Sequence, residues 1–247
     1  MTYCLAMRLA EGLVFLSDTR TNAGVDNVST YRKLFVFHPA PDRTIVLQSA
    51  GNLATTQEVV DRIERDLADP DAFESLATGS HLFEVALYVG RLGVEVANNH
   101  RASLNAVGAD ATSTFLLSGQ VGQEPPDVLL VYPEGNYIRA SDDRPFLQIG
   151  ETKYGKFLLE LACETQLPIE EAAKVALSSM VSTAHANLSV GPPYDLGLYR
   201  VDTHELLHAR ITADSPFLTR LQETWNRHLT AALADLPMVE PGDLQLI

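Results

Sequence analysis

The order in which the hydrophobic period changes along the chain constrains its fold more than any other feature. Residues 2–9 and 12–17 read as short strands joined by Glu11-Gly12, a two-residue hairpin pattern. A second β pair follows at 33–38 and 43–49, joined by the turn chemistry of Pro39-Ala40-Pro41-Asp42. The period then moves from two to 3.6. Leu53, Thr56, Val60, Ile63 and Leu67 share one helical face, and Leu76, Phe83, Leu87, Gly90 and Val94 mark a second long helix ending near Asn98-Asn99. Strands return at 114–118, 127–132, 137–140 and 146–150. Two helices follow, one lined by Tyr154, Phe157, Leu158 and Leu161, the other by Ile169, Ala173, Ala176, Met180 and Ala184. A hairpin at about 195–211 turns at Asp202-Thr203-His204, and Leu218, Leu221, Trp225, Leu229 and Leu233 stripe a terminal helix.

Strands in blocks and helices in pairs do not fit the alternation that a doubly wound parallel sheet requires. They fit two antiparallel sheets packed face to face, each covered by a helix pair. The expected fold is therefore α+β, a four-layer αββα sandwich over residues 1–212. Residues 213–247 are expected to add a helical extension and tail packed on the same domain, with an apolar stripe that suits contact between copies equally well.

Composition excludes several function classes. Eighteen Lys and Arg against 32 Asp and Glu leave the chain at −14, without the clustered cations that release counterions from a phosphate backbone, so no nucleic acid partner is expected. No apolar run approaches the ~18–20 residues of a membrane helix, the start lacks a signal-peptide pattern, and Cys4 and Cys163 are too few for a disulfide framework. A cytoplasmic protein without a membrane partner or cofactor is the expectation.

Thr2 is the first residue with potential chemistry. A threonine hydroxyl needs a base, and an N-terminal threonine carries one in its own α-amine. Met before a small residue is normally removed, which would expose Thr2. Asp18 ends the second strand and Lys33 opens the following β pair. Placed together beneath Thr2 at an open sheet edge, Lys33 would supply positive charge and Asp18 would hold it charged. Two ammonium groups ~4 Å apart repel by roughly 4 kcal/mol at an effective dielectric near 20. The α-amine, with a reference pKa of ~7.7–8.0, would yield its proton first and be ready to accept one from the hydroxyl. At Ala50-Gly51-Asn52 a strand passes into a helix, where unsatisfied N–H groups suit a developing oxyanion.

Together, Thr2, Ser17-Asp18-Thr19-Arg20, Lys33 and Ser49-Ala50-Gly51 resemble the N-terminal third of proteasome β-type subunits, which are N-terminal-nucleophile (Ntn) hydrolases with an αββα fold. Residues 19–26, 50–56 and 149–155 resemble more specifically the bacterial branch called Anbu, the ancestral β subunit. The resemblance spans residues 2 to about 212. It implies that Thr2 is the nucleophile, that Asp18 and Lys33 support it, that Gly51 gives the oxyanion N–H, and that Thr21 and Asn22 bind the main chain of an extended peptide. Glu151, Asn187 and Ser189 stand where proteasome subunits carry Ser, Asp and Ser, and Asp18 to Lys33 is one residue shorter than usual there. The implied activity is threonine-type hydrolysis of peptides or unfolded polypeptides through an acyl-enzyme. The implied assembly is a homo-oligomer, a ring or an open helical ring. A catalytically silent Ntn-fold assembly or binding protein is the alternative.

One further motif competes. His204-Glu205-Leu206-Leu207-His208 matches the zinc-peptidase pattern H-E-x-x-H, which needs both histidines on one helical face and a third ligand. Here it reads as a turn and return strand, on which residues four apart lie some 13 Å from each other, so no metal site is expected. Cys163 reads as core.

Overall fold

The computed structural model describes residues 2–22 and 28–240. The chain divides into two compact units between Thr212 and Ala213. The first contains two five-stranded sheets. One has the order β10-β1-β2-β11-β12, built from β1 (Tyr3–Leu9), β2 (Gly12–Asp18), β10 (Phe146–Gly150), β11 (Tyr194–Arg200) and β12 (Leu206–Ile211). The other has the order β5-β6-β7-β8-β9, from β5 (Leu34–Ala40), β6 (Arg43–Gly51), β7 (Ser113–Val121), β8 (Asp127–Val131) and β9 (Tyr137–Arg139). All pairings in both sheets are antiparallel. A short ribbon, β3 (Arg20–Asn22) with β4 (Val28–Thr30), stands apart from both sheets.

Strand alternation divides the core into layers. Ile45 and Leu47 of β6, Phe115 and Leu117 of β7, and Leu129 and Val131 of β8 pack against Val59, Ile63, Val85, Val89 and Val96. Those five residues belong to helices α1 (Leu53–Ala68) and α2 (Leu82–Asn105). The intervening residues Val46, Leu116 and Val128 face inward, meeting Cys4, Ala6, Leu13 and Phe15 of the opposite sheet. On that sheet's outer face lie α3 (Lys153–Ala162) and α4 (Ile169–Ala186), with α4 against β1 and β2. The architecture is a four-layer αββα sandwich. The second unit carries α5 (Pro216–Ala234).

Tertiary packing corrects several local expectations. β1 lies between β10 and β2, so Thr2 sits at a strand end and not at an open sheet edge; the strand at 146–150 covers that edge. The first hairpin turns at Ala10-Glu11, because Leu9 pairs with Gly12. Leu76 is buried in the loop before α2, and α2 runs on to Asn105 with Leu82, Val85, Val89 and Val96 on its inner side. The largest reversal is in α3. Its apolar stripe Tyr154, Phe157 and Leu161 is exposed, and Gly155 and Leu159 face inward. Gly155 decides this. A Cβ there would overlap the side chains of Tyr3 and Ser179, so only the side-chain-free face can approach α4.

Candidate active site

Asp18 ends β2 with a fully buried carboxylate. Its Oδ1 accepts from the Tyr3 N–H at 2.9 Å and from Lys33 Nζ at 2.8 Å, and its Oδ2 accepts from the Gly191 N–H at 3.4 Å. Burial pushes this carboxyl above its ordinary value, opposed by the Lys33 ammonium and by the two backbone donors. The Lys33 ammonium also donates to the Arg20 carbonyl at 2.6 Å, so the cation is held from two sides just before β5 begins. Desolvation makes the pair interdependent: neither charge is affordable there alone.

Thr2 is one wall of a cavity of about 350 Å³, shared with Thr21, Lys33, Ser49 and Gly51. The direction of the Gly51 N–H follows from the ladder. Gly51 is opposite Ser113, and the next N–H, of Asn52, donates to Thr112 O at 2.9 Å. Antiparallel bonds alternate sides. The Gly51 N–H therefore leaves β6 on the side where the Ser49 N–H donates to Lys33 O at 3.0 Å, one step beyond the start of β5 and toward the cavity. Gly51 holds φ +119°, and a Cβ would come within 2.5 Å of Thr112 O, so no other residue type keeps this geometry unstrained.

The other implied support residues also converge. Glu151 N–H donates to Thr2 O at 2.7 Å. Asn187 Nδ2 donates to Glu151 Oε2 at 2.9 Å, and the Ser189 N–H donates to Asn187 Oδ1 at 2.9 Å. Thr21 lies on β3 opposite Ser29. Asn22 is the last residue of β3, and its side chain lies outside the described residues, as do Met1 and residues 23–26 of the family-like segment.

Contacts that spacing alone did not suggest hold this cluster in place. Arg20 Nη1 donates to Leu188 O at 2.9 Å and to Val190 O at 3.5 Å, clamping the loop that brings Gly191 onto Asp18. The Tyr3 hydroxyl and Ser179 Oγ share a hydrogen bond of 2.7 Å, and burial pushes that phenol up to about 12. Such contacts join residues more than a hundred positions apart. Gly191 beside Pro192-Pro193 is the one local feature of the sequence that marks this loop.

Gly150, at φ +85°, leaves no room for a Cβ against the Thr2 carbonyl. A Gly150→Ala substitution is expected to cost about 1–3 kcal/mol and to displace Thr2. Urea denaturation and peptide turnover measured on one preparation check both effects.

Competing chemistry is placed elsewhere. His204 lies in the β11–β12 turn, with its carbonyl accepting from Thr44 Oγ1 at 2.8 Å, and His208 lies on β12 opposite Gly197. Among the described residues no group of three or more His, Cys, Asp and Glu is placed to hold a metal, and no helix is long and apolar enough to cross a membrane. Burial pushes the thiols of Cys4 and Cys163 up to about 12, far from the thiolate form that attacks.

Two antiparallel sheets between helix pairs, with Thr2 at a cavity between strand ends, define an Ntn-type, proteasome-like fold. Comparison with solved structures narrows the class. Anbu (ancestral β-subunit) from Yersinia bercovieri is 41% identical with a TM-score of 0.89, covering 97% of this chain and 99% of that one. The helical assembly of the Anbu complex from Pseudomonas aeruginosa gives 39%, 0.91, 98% and 99%, and Anbu from Hyphomicrobium sp. strain MC1 gives 40%, 0.87, 97% and 100%. The chain belongs to the Anbu family. Comparison with models of protein families gives no match, and comparison with curated proteins gives none either.

Proposed function

We propose that this protein is a threonine-type peptidase acting through an acyl-enzyme. The observation that carries the reading is the meeting, around one cavity, of Thr2, the Gly51 N–H side of β6 and the Lys33 ammonium held by buried Asp18. An extended peptide lies between Thr21 and β6, adding its main chain as a strand. The Thr2 α-amine, freed by loss of Met1 and kept neutral by the nearby cation, takes the hydroxyl proton. Thr2 Oγ bonds to the peptide carbonyl carbon, and the Gly51 N–H donates to the oxyanion. The C–N bond breaks as the amine passes the proton to the leaving nitrogen. Water then hydrolyses the ester and regenerates the hydroxyl.

A β-lactone probe, which esterifies such a hydroxyl, tests the reading by intact mass. One adduct on a chain that begins at Thr2, absent from Thr2→Ala, is the expected result. An unlabelled chain that retains Met1 overturns it. Self-assembly is part of the proposal: the exposed Tyr154, Phe157 and Leu161 of α3 form an apolar face suited to a second copy. The same face favours the second reading, an assembly protein without turnover, for which the unlabelled chain would form oligomers nonetheless.

A further inference from the structure

The cavity beside Thr2 is small, and its described lining carries no charge available to a ligand. Its volume of about 350 Å³ lies at the low end of the roughly 300–1,000 Å³ of small-molecule sites, enough for one side chain and the adjoining main chain. Away from Thr2 its lining is Thr21, Ser49, Ala50, Leu53 and Thr56. The Thr56 hydroxyl is already engaged with Ser113 Oγ at 3.2 Å. Among the described residues Lys33 is the one charged side chain in the lining, and Asp18 and the Arg20 carbonyl already occupy its ammonium. Among the described residues a basic side chain entering here meets a cation and no carboxylate partner, and an acidic one meets a cation already paired. Either charge would lose its water without compensation. Leu53 is the largest apolar side chain on this wall, projecting from the first residue of α1, which Asn52 caps by accepting from the Thr55 N–H at 3.1 Å.

Resting on the peptidase reading above, with the side chain preceding the cleaved bond in this cavity, we infer that the cavity selects uncharged side chains of leucine size and that Leu53 sets the selection. Charge rejection comes from the whole lining. Size and apolar preference come from Leu53, the largest apolar side chain among the described lining residues.

The test uses peptides of one sequence that vary only the residue before the cleaved bond, with β-lactone labelling of Thr2 as a separate readout. Wild-type protein is expected to cleave after Leu at least 100-fold more efficiently, in kcat/KM, than after Arg or Asp. Leu53→Glu puts a carboxylate on the wall, and an acid at the first position of a helix is electrostatically favoured, so the fold should persist. The Arg-to-Leu ratio is then expected to rise at least 100-fold while labelling continues. Leu53→Gln, similar in size but uncharged, is expected to lose the Leu preference without gaining Arg cleavage. Equal cleavage after charged residues, or a ratio unchanged in both variants, overturns the inference while labelling leaves the peptidase reading intact. Labelling with no cleavage of any peptide also overturns it. Absence of both labelling and cleavage in the wild type removes the peptidase reading and this inference together.

Discussion

Replacing Thr2 with alanine is expected to lower peptide turnover by roughly 10⁴-fold or more, the scale seen when a nucleophile is removed from a hydrolase, while the protein stays folded. The two expectations have separate physical origins. Thr2 holds the structure through its backbone, because its carbonyl accepts the Glu151 N–H at 2.7 Å, and alanine keeps that carbonyl. The hydroxyl is needed for chemistry, since among the described lining residues Thr2 alone would carry its own base. Steady-state kcat/KM and thermal unfolding of the same preparation separate the effects. A Thr2→Ala protein that cleaves at the wild-type rate would end the peptidase reading.

Lys33→Ala should produce the largest loss of stability, about 3–5 kcal/mol, the range for stranding one member of a buried ion pair. Lys33 is 5% exposed and Asp18 fully buried. Without the ammonium, the Asp18 carboxylate keeps two backbone donors and no counter-charge. The sign of the pH dependence follows. Burial raises the Asp18 carboxyl above its ordinary value of 3.8, so its favourable contribution is complete below that value and is lost as pH rises through the elevated one. Removing Lys33 takes away the main opposing influence and widens that window upward. The deficit of Lys33→Ala relative to wild type should therefore be smallest near pH 4 and grow toward neutrality. Urea denaturation between pH 4 and 8 measures it. Lys33→Met combined with Asp18→Asn should be more stable than Lys33→Met alone, since no charge is left stranded. If the single and double variants unfold alike at pH 7, the pair is not coupled as described. Peptide hydrolysis should fall in both.

The α3 helix shows where sequence reading stops. Its spacing marks Tyr154, Phe157 and Leu161 as one apolar face, but periodicity carries no information about which face meets a neighbour. Gly155 does, through the missing side chain that lets α3 reach Tyr3 and Ser179. Asp18 and Lys33 illustrate the converse. Their types and positions suggested a pair, and the fold sets them 2.8 Å apart. Arg20 was visible only as part of a motif; its clamp on the loop at 188–190 depends on β2 and β11 being neighbours.

The sequence by itself determined the succession of strands and helices, the αββα layering and the residue types with chemistry to offer, because period and turn chemistry act over a few residues. Tertiary structure alone decided that β10 covers the edge of β1, that the apolar face of α3 points outward, and that Leu53 stands in the same cavity as Thr2. Those outcomes depend on close packing between segments far apart in the chain, where the presence or absence of a single Cβ decides which surfaces can meet.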